Sequence, residues 1–275
     1  MKNIGRMCTD PTHKNYQLWQ TVVNIFIMAS CMGLALETVS TLWFEYKTPF
    51  IILEWVSVSV FTIDYIANLF CSEKKFQYAF SLWGLIDLIS ILPSYLMLLN
   101  LSALQGAKML RLLRIARILR LLKTVVQTQT SNPLIINLKI YLIIFFSVMM
   151  ISSTAMYAVE GTLYSLEKME IGQKKLDAQA KLGEEAEVFM PLDPISGTPI
   201  PEDKRFFTSI PTAMWWCIVT LTSTGYGDIY PVTVKGRIVA GITMFLGLVL
   251  FGILLNLVGK TLMVILFDEK LKPDD

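Results

Sequence analysis

The chain has 275 residues, of which 54% are hydrophobic and only 17% charged; its formal net charge is +2 and its mean hydropathy +0.54. Soluble globular domains carry about 25% charged residues, so this balance points to a membrane protein, and the absence of a basic tail speaks against a nucleic-acid binder. One histidine, His13, and four cysteines with no CxxC pair (Cys8, Cys31, Cys71, Cys217) leave little material for metal or acid-base chemistry.

Residues 1–17 are polar and hold Lys2, Arg6 and Lys14. No small-residue cleavage site follows the next hydrophobic run, which therefore reads as a retained helix rather than a signal peptide. A spanning helix needs about 20 largely apolar residues. Six runs qualify: 18–39, 50–70, 82–99, 104–126, 134–159 and 234–267, the last longer than a bilayer requires. Between the last two lies a polar stretch, 160–205, whose first part is charged and compatible with helix. Its second part, with Pro191, Pro194, Pro199 and Pro201, reads as loop. The apolar segment 210–221 follows; as a helix it measures about 18 Å, too short to cross and suited to a re-entrant turn. Lys/Arg bias puts both termini in the cytoplasm and 160–205 outside. Asn100-Leu101-Ser102 is then a glycosylation sequon on the outer side. The expected fold is an all-α membrane protein.

The fourth run carries Lys108, Arg111, Arg114, Arg117, Arg120 and Lys123 at every third residue. Each basic group costs about 2.5–3.5 kcal/mol at the bilayer centre. Spread over about 22 Å of α-helix, they cannot all reach one interface. A helix lying on lipid would repeat at 3.6 residues and gather its charges on one face. A strict three-residue repeat drifts by about 60° per step on an α-helix and becomes a straight face only as a 3₁₀-helix. The expected winding stripe suits a helix that slides past fixed counter-charges. Glu54, Phe61 and Asp64 share a face of the second run, and Asp87 lies in the third. Glu37, in the first run, is either another partner or an exposed helix end.

After the re-entrant segment comes Thr220-Leu221-Thr222-Ser223-Thr224-Gly225-Tyr226-Gly227-Asp228. The run resembles the potassium channel signature TVGYG, and 211–231 as a whole resembles a potassium channel pore loop. A dehydrated potassium ion needs oxygen ligands in place of water. Successive backbone carbonyls supply them if some residues take positive φ, which Gly225 and Gly227 do without a Cβ penalty. Ser223, Thr224, Gly225, Tyr226 and Gly227 are the expected potassium-binding residues, and four copies are needed to close the site. Ser223 stands where the signature has threonine and loses a methyl group. Thr224 stands where it has valine and keeps the β-branched shape. Trp215 and Trp216 read either as interfacial anchors or, by the resemblance, as filter support, Trp215 bonding Asp228 and Trp216 meeting Tyr226.

The resemblance covers residues 18–267 and implies a voltage-gated potassium channel of the six-helix class. It implies six transmembrane helices, a re-entrant pore helix and a selectivity filter, assembled as a homotetramer. The voltage-sensor bundle would be 18–126, the linker 127–133 and the pore domain 134–267. Within the pore domain, the insert is 160–205, the pore helix 210–221, the filter 222–228 and the inner helix 234–267. A cytoplasmic N-terminus (1–17) and tail (268–275) leave no room for a folded cytoplasmic domain. That leans toward a prokaryotic-type channel, in a bacterial or archaeal inner membrane. Phe61, Asp64 and Asp87 take the charge-transfer role, with Glu54 as an outer partner. Asn68 sits where many relatives have a basic residue. Glu160 matches a glutamate that braces the outer pore. Gly247 and Gly252 are gate-hinge candidates, Gly247 alternatively a close-packing residue. Leu254-Leu255-Asn256 occupies the region of the Pro-x-Pro bend of animal relatives, and Asn256 would line the inner cavity or bond a neighbouring helix. No cofactor, nucleic acid or small-molecule substrate is expected, only lipid and permeant potassium. The rivals are a cation channel not gated by voltage and a non-conducting regulatory subunit; no enzyme chemistry is visible.

Overall fold

In a computed structural model the described residues are 14–72, 75–98, 112–121, 133–180 and 188–267. They form helices α1 (Tyr16–Glu37), α2 (Ser40–Cys71), α3 (Lys75–Ala79) and α4 (Leu82–Leu98), then a 3₁₀ segment, Leu113–Leu119. The chain continues with α5 (Pro133–Val159), α6 (Leu166–Ala180), α7 (Ile210–Leu221) and α8 (Val234–Phe267). Among the described residues four helices, α1, α2, α5 and α8, are long and apolar enough to cross a membrane. The shorter α4 and α7 are apolar as well.

The expected second span is longer than its hydropathy suggested. The chain is helical from Ser40, but Tyr46 breaks the helical angles (φ −114°, ψ 29°) three residues before Pro49. Proline has no N–H for the preceding turn and its ring crowds that turn, which locates the kink. At α5, Pro133 is the first helical residue, where a missing N–H costs nothing. Of the fourth run only 112–121 is described; Lys108, Arg111, Lys123, the sequon at Asn100, most of the linker 127–133 and the tail 268–275 lie outside the described residues.

The 3₁₀ segment packs against α4 and α1, and α1 packs along α2. The buried residues of this bundle include Val23, Ile27, Leu34, Phe61, Ile91, Ile115 and Ile118. The C-terminal half packs α7 between α5 and α8. A hydrogen bond ties the two halves: the first amide of α7, Ile210 N, donates to Thr38 Oγ1 at 2.8 Å. Thr38 sits just beyond α1, and its hydroxyl donates in turn to Ala35 O.

Candidate functional site

The first constellation is the basic ladder. In 3₁₀ geometry residues three apart eclipse, so Arg114, Arg117 and Arg120 project on one line, and all three are buried. The winding stripe expected from an α-helix is therefore corrected within this stretch: the face is straight, because the helix tightens to three residues per turn. Arg114 pairs with Glu37 Oε2 and with Glu54 Oε2, each at 2.9 Å. Glu37 is thus a partner and not an exposed end. Arg117 uses its whole fork: Nη1 and Nη2 meet the two oxygens of Glu54 at 2.7 and 2.6 Å. Its Nη2 also donates to Ser94 Oγ (2.7 Å) and its Nε to Ser90 O (3.0 Å). A bidentate pair of this kind fixes orientation as well as charge. Pro93, inside α4, has no N–H to offer the Ile89 carbonyl one turn back, and the neighbouring Ser90 carbonyl accepts from the arginine.

Arg120 lies one step further along. Its guanidinium carbon is 4.8 Å from the centre of the Phe61 ring, and that of Arg117 is 5.6 Å from it. The ring is fully buried with both cations near its face, which attracts them. Arg120 Nε is 3.0 Å from Asp87 Oδ1, and Nη2 reaches the carbonyls of Asp87 and Phe61. Two neutral donors complete the acidic end: Tyr78 OH donates to Asp87 Oδ2 at 2.8 Å and Trp19 Nε1 to Asp64 Oδ1 at 2.9 Å. Asn68 turns its amide to the Asp64 carbonyl of its own helix. Sequence reasoning had not singled out Trp19, Tyr78, Ser90 or Ser94.

The second constellation is the glycine turn. Ser209 caps α7 by accepting from Thr212 N, and Pro211 sits in the first turn. After Leu221 the chain enters an exposed turn in which Ser223, Gly225 and Gly227 have positive φ (56°, 60° and 78°). The alternation extends one step further than the glycines alone indicated, to a serine, where positive φ is uncommon. Thr224 N and Gly225 N both donate to Val219 O, and the Thr222 and Thr224 hydroxyls bond at 2.8 Å.

Trp215 Nε1 donates to Asp228 Oδ2 at 2.8 Å, and the Trp215 ring stacks on Tyr226, centroids 5.9 Å apart. The partner expected for Trp216 is corrected within one chain: Trp216 meets Phe207 edge-on at 5.6 Å, and it is Trp215 that carries Tyr226. Trp216 faces the buried side of α7, while Trp215 and Tyr226 share its exposed side.

Glu160, fully buried just past α5, accepts from Val232 N (3.0 Å), Thr233 N (3.4 Å) and Thr233 Oγ1 (3.0 Å). Burial pushes its carboxyl above the usual glutamate range, and these bonds oppose that rise. A Cβ on Gly236 would run into Glu160 Oε2. Gly247 lies mid-way along an unbroken α8, where a Cβ would come within 2.9 Å of the Leu221 main chain, so close packing requires a glycine there. Gly252 has open space around it. With Asn256 and Lys260 it lines a cavity of about 520 Å³ between α8 and α5.

Residues 16–264 match the ion transport protein family. The chain is 26% identical over 250 residues to the human potassium voltage-gated channel subfamily V member 1, covering 90% of this chain and 45% of that protein. The golden hamster (Mesocricetus auratus) counterpart matches at 26% over 248 residues, covering 90% and 44%. A shorter match, 46% over 57 residues, joins 21% of this chain to 13% of the human voltage-gated potassium channel regulatory subunit KCNG3. The chain thus spans just under half the length of the subfamily V relatives. The family match and the apolar helices make it a multi-pass membrane protein, and the chain belongs to the ion transport protein family, alongside the voltage-gated potassium channel subunits it resembles.

Proposed function

We propose that the chain is a voltage-gated, potassium-selective channel subunit acting as one of four around a central pore. The carrying observation is the turn 223–227, with positive φ at every second residue and Trp215 anchoring Asp228 at its far end. Alternating φ lets consecutive carbonyls face a common axis, and rings of such oxygens replace an ion's hydration shell. One chain leaves the turn exposed, with Tyr226 at 68%. Four copies would enclose it. The pore unit is then 134–267, with α7 as pore helix and α8 as inner helix, and 18–126 is the sensor.

The ladder supports the gating half of the reading. Moving one charge through 100 mV is worth about 2.3 kcal/mol; three charges in each of four subunits give roughly 28 kcal/mol. Arg120 sits at Phe61, with Arg114 and Arg117 on the Glu37 side. With Glu37 outermost, as the Lys/Arg bias orients the chain, this is the raised, depolarised position. Arg114 stands one 3₁₀ turn from the Glu54 site that Arg117 fills, and Arg117 one turn from the Asp87 site that Arg120 fills, so displacement of these two exchanges partners rather than exposing charge to lipid.

Planar-bilayer recording of the purified chain under opposed potassium and sodium gradients tests the reading. A steeply voltage-dependent current reversing near the potassium potential is expected. A reversal midway between the two ions' potentials would sink selectivity. The match to KCNG3, a protein named as a regulatory subunit, motivates the second reading. It predicts silence alone and altered gating once a conducting subunit is co-reconstituted.

A further inference from the structure

We propose that Asp193 is a positioning residue of the pore: it caps the start of α8 and thereby makes the insert part of the frame that keeps the filter conducting. The inference rests on the filter reading above. The insert is anchored at both of its described parts. On the helical side, Phe189 N donates to Gln173 Oε1 of α6. Beyond it, residues 191–200 fold into a tight turn built around Asp193. Its amide donates to Thr198 O, its carbonyl accepts from Gly197 N, and Leu192 bridges Pro199. Gly197, at φ 70°, supplies the left-handed step. The carboxylate accepts from Ile195 N at Oδ1 (3.1 Å) and from Ser196 Oγ at Oδ2 (2.7 Å).

Those bonds alone would make a self-contained loop. The same Oδ2, however, also accepts from Val234 N at 3.2 Å, and Val234 is the first residue of α8. Asp193 comes from 41 positions earlier to do so. The amides just before it, Val232 and Thr233, belong to Glu160, and Gly236 N donates to Thr233 Oγ1. A helix start leaves its first amides without intrahelical acceptors and carries partial positive charge. Here the Asp193 carboxylate answers the first amide of the helix and the Thr233 hydroxyl the third, while Glu160 holds the two amides that lead into it.

The location gives the cap its consequence. Asp228, at the outlet of the turn, is held by Trp215, and Tyr230 packs on Phe206 with centroids 5.0 Å apart. The chain then reaches 232–234, where Glu160 and Asp193 hold it. Within the turn Ser223, a residue with a Cβ, takes positive φ (56°), and the main-chain bonds of residues 222–225 run back into α7 at Ile218, Val219 and Thr220. Strained backbone of that kind persists only where its surroundings over-determine it. Asp193 is one of those determinants, and it transmits the state of the insert to the filter outlet.

The test is the decay of potassium current during sustained opening of the full chain in bilayers, for the parent, D193A, D193N and S196A. D193A should decay about five-fold faster, the size of one lost helix cap. D193N, which keeps one acceptor oxygen, should recover part of the difference, and S196A should show a smaller acceleration. Raising potassium on the insert side should slow the D193A decay toward the parent rate, because a bound ion stabilises the conformation it occupies. A purely structural loss would lower the number of channels and leave both the decay and its potassium dependence unchanged. If the parent conducts while D193N and S196A decay at its rate, and D193A matches them or fails to assemble, the role of Asp193 is overturned. A parent that conducts nothing overturns the filter reading beneath it.

Discussion

Arg117 and Arg114 share one carboxylate unequally, and the difference is measurable. Arg117 holds both oxygens of Glu54, whereas Arg114 divides its fork between Glu54 and Glu37. Breaking a buried pair costs about 3 kcal/mol or more. With about three charges moving per subunit, a loss of that size shifts a gating midpoint by about 40 mV. Arg117→Gln should therefore move the charge–voltage curve about that far toward depolarised potentials, since it weakens the raised position. Arg114→Gln should move it less, because Glu54 keeps its bidentate partner. Gating-current recordings of the two variants decide it, and equal shifts would contradict the geometry. Trp19 and Tyr78 act on the same ladder from its other end. Each offers a neutral N–H or O–H to a carboxylate, so it steadies the acid without a competing positive charge.

The 3₁₀ segment turns a sequence period into a mechanical face. One alanine inserted between Ala116 and Arg117 would rotate Arg117 and Arg120 by about 120° relative to Arg114. The gating charge per channel should collapse, while the filter, built from distant residues, should keep its ion preference in whatever current remains. Preserved gating charge would mean that the segment slides as an ordinary α-helix. This element also marks how far the sequence could be read. The repeat at 114, 117 and 120 was visible, and so was its condition: one straight face only if the helix tightens. Which conformation prevails depends on Glu54, Asp87 and Phe61 holding the charges in line, a tertiary effect no local propensity reports. The apolar run of α7 was legible between the polar Ser209 and Thr222 that flank it. Thr38, Asp193, Trp19 and Tyr78 left no local signal: each is a single polar or aromatic residue, and its partner lies 172, 41, 45 or 9 positions away. The kink at Tyr46 was marked only by Pro49.

At the scale of the whole molecule, α8 is apolar on every side and little of it is covered within one chain. Ile238, Ile242, Phe245, Leu248, Phe251 and Leu255 are all exposed. A helix hydrophobic all round is normally surrounded, by lipid or by other protein. The proposed tetramer surrounds one side with copies of itself. Cross-linking of the chain in native membranes should then give a limiting product about four times the 31.2 kDa chain, and a ladder that stops at two would refute four-fold closure. The hydrogen bond from Ile210 to Thr38 bears on modularity. A chimera that moves the first bundle onto a foreign pore separates a hydroxyl from the amide it serves, and the graft inherits an unmet donor at the head of its pore helix. Transplantable boundaries in this protein therefore follow that bond and not the connecting peptide: a swap that carries residue 38 and residue 210 together keeps its parts in conversation.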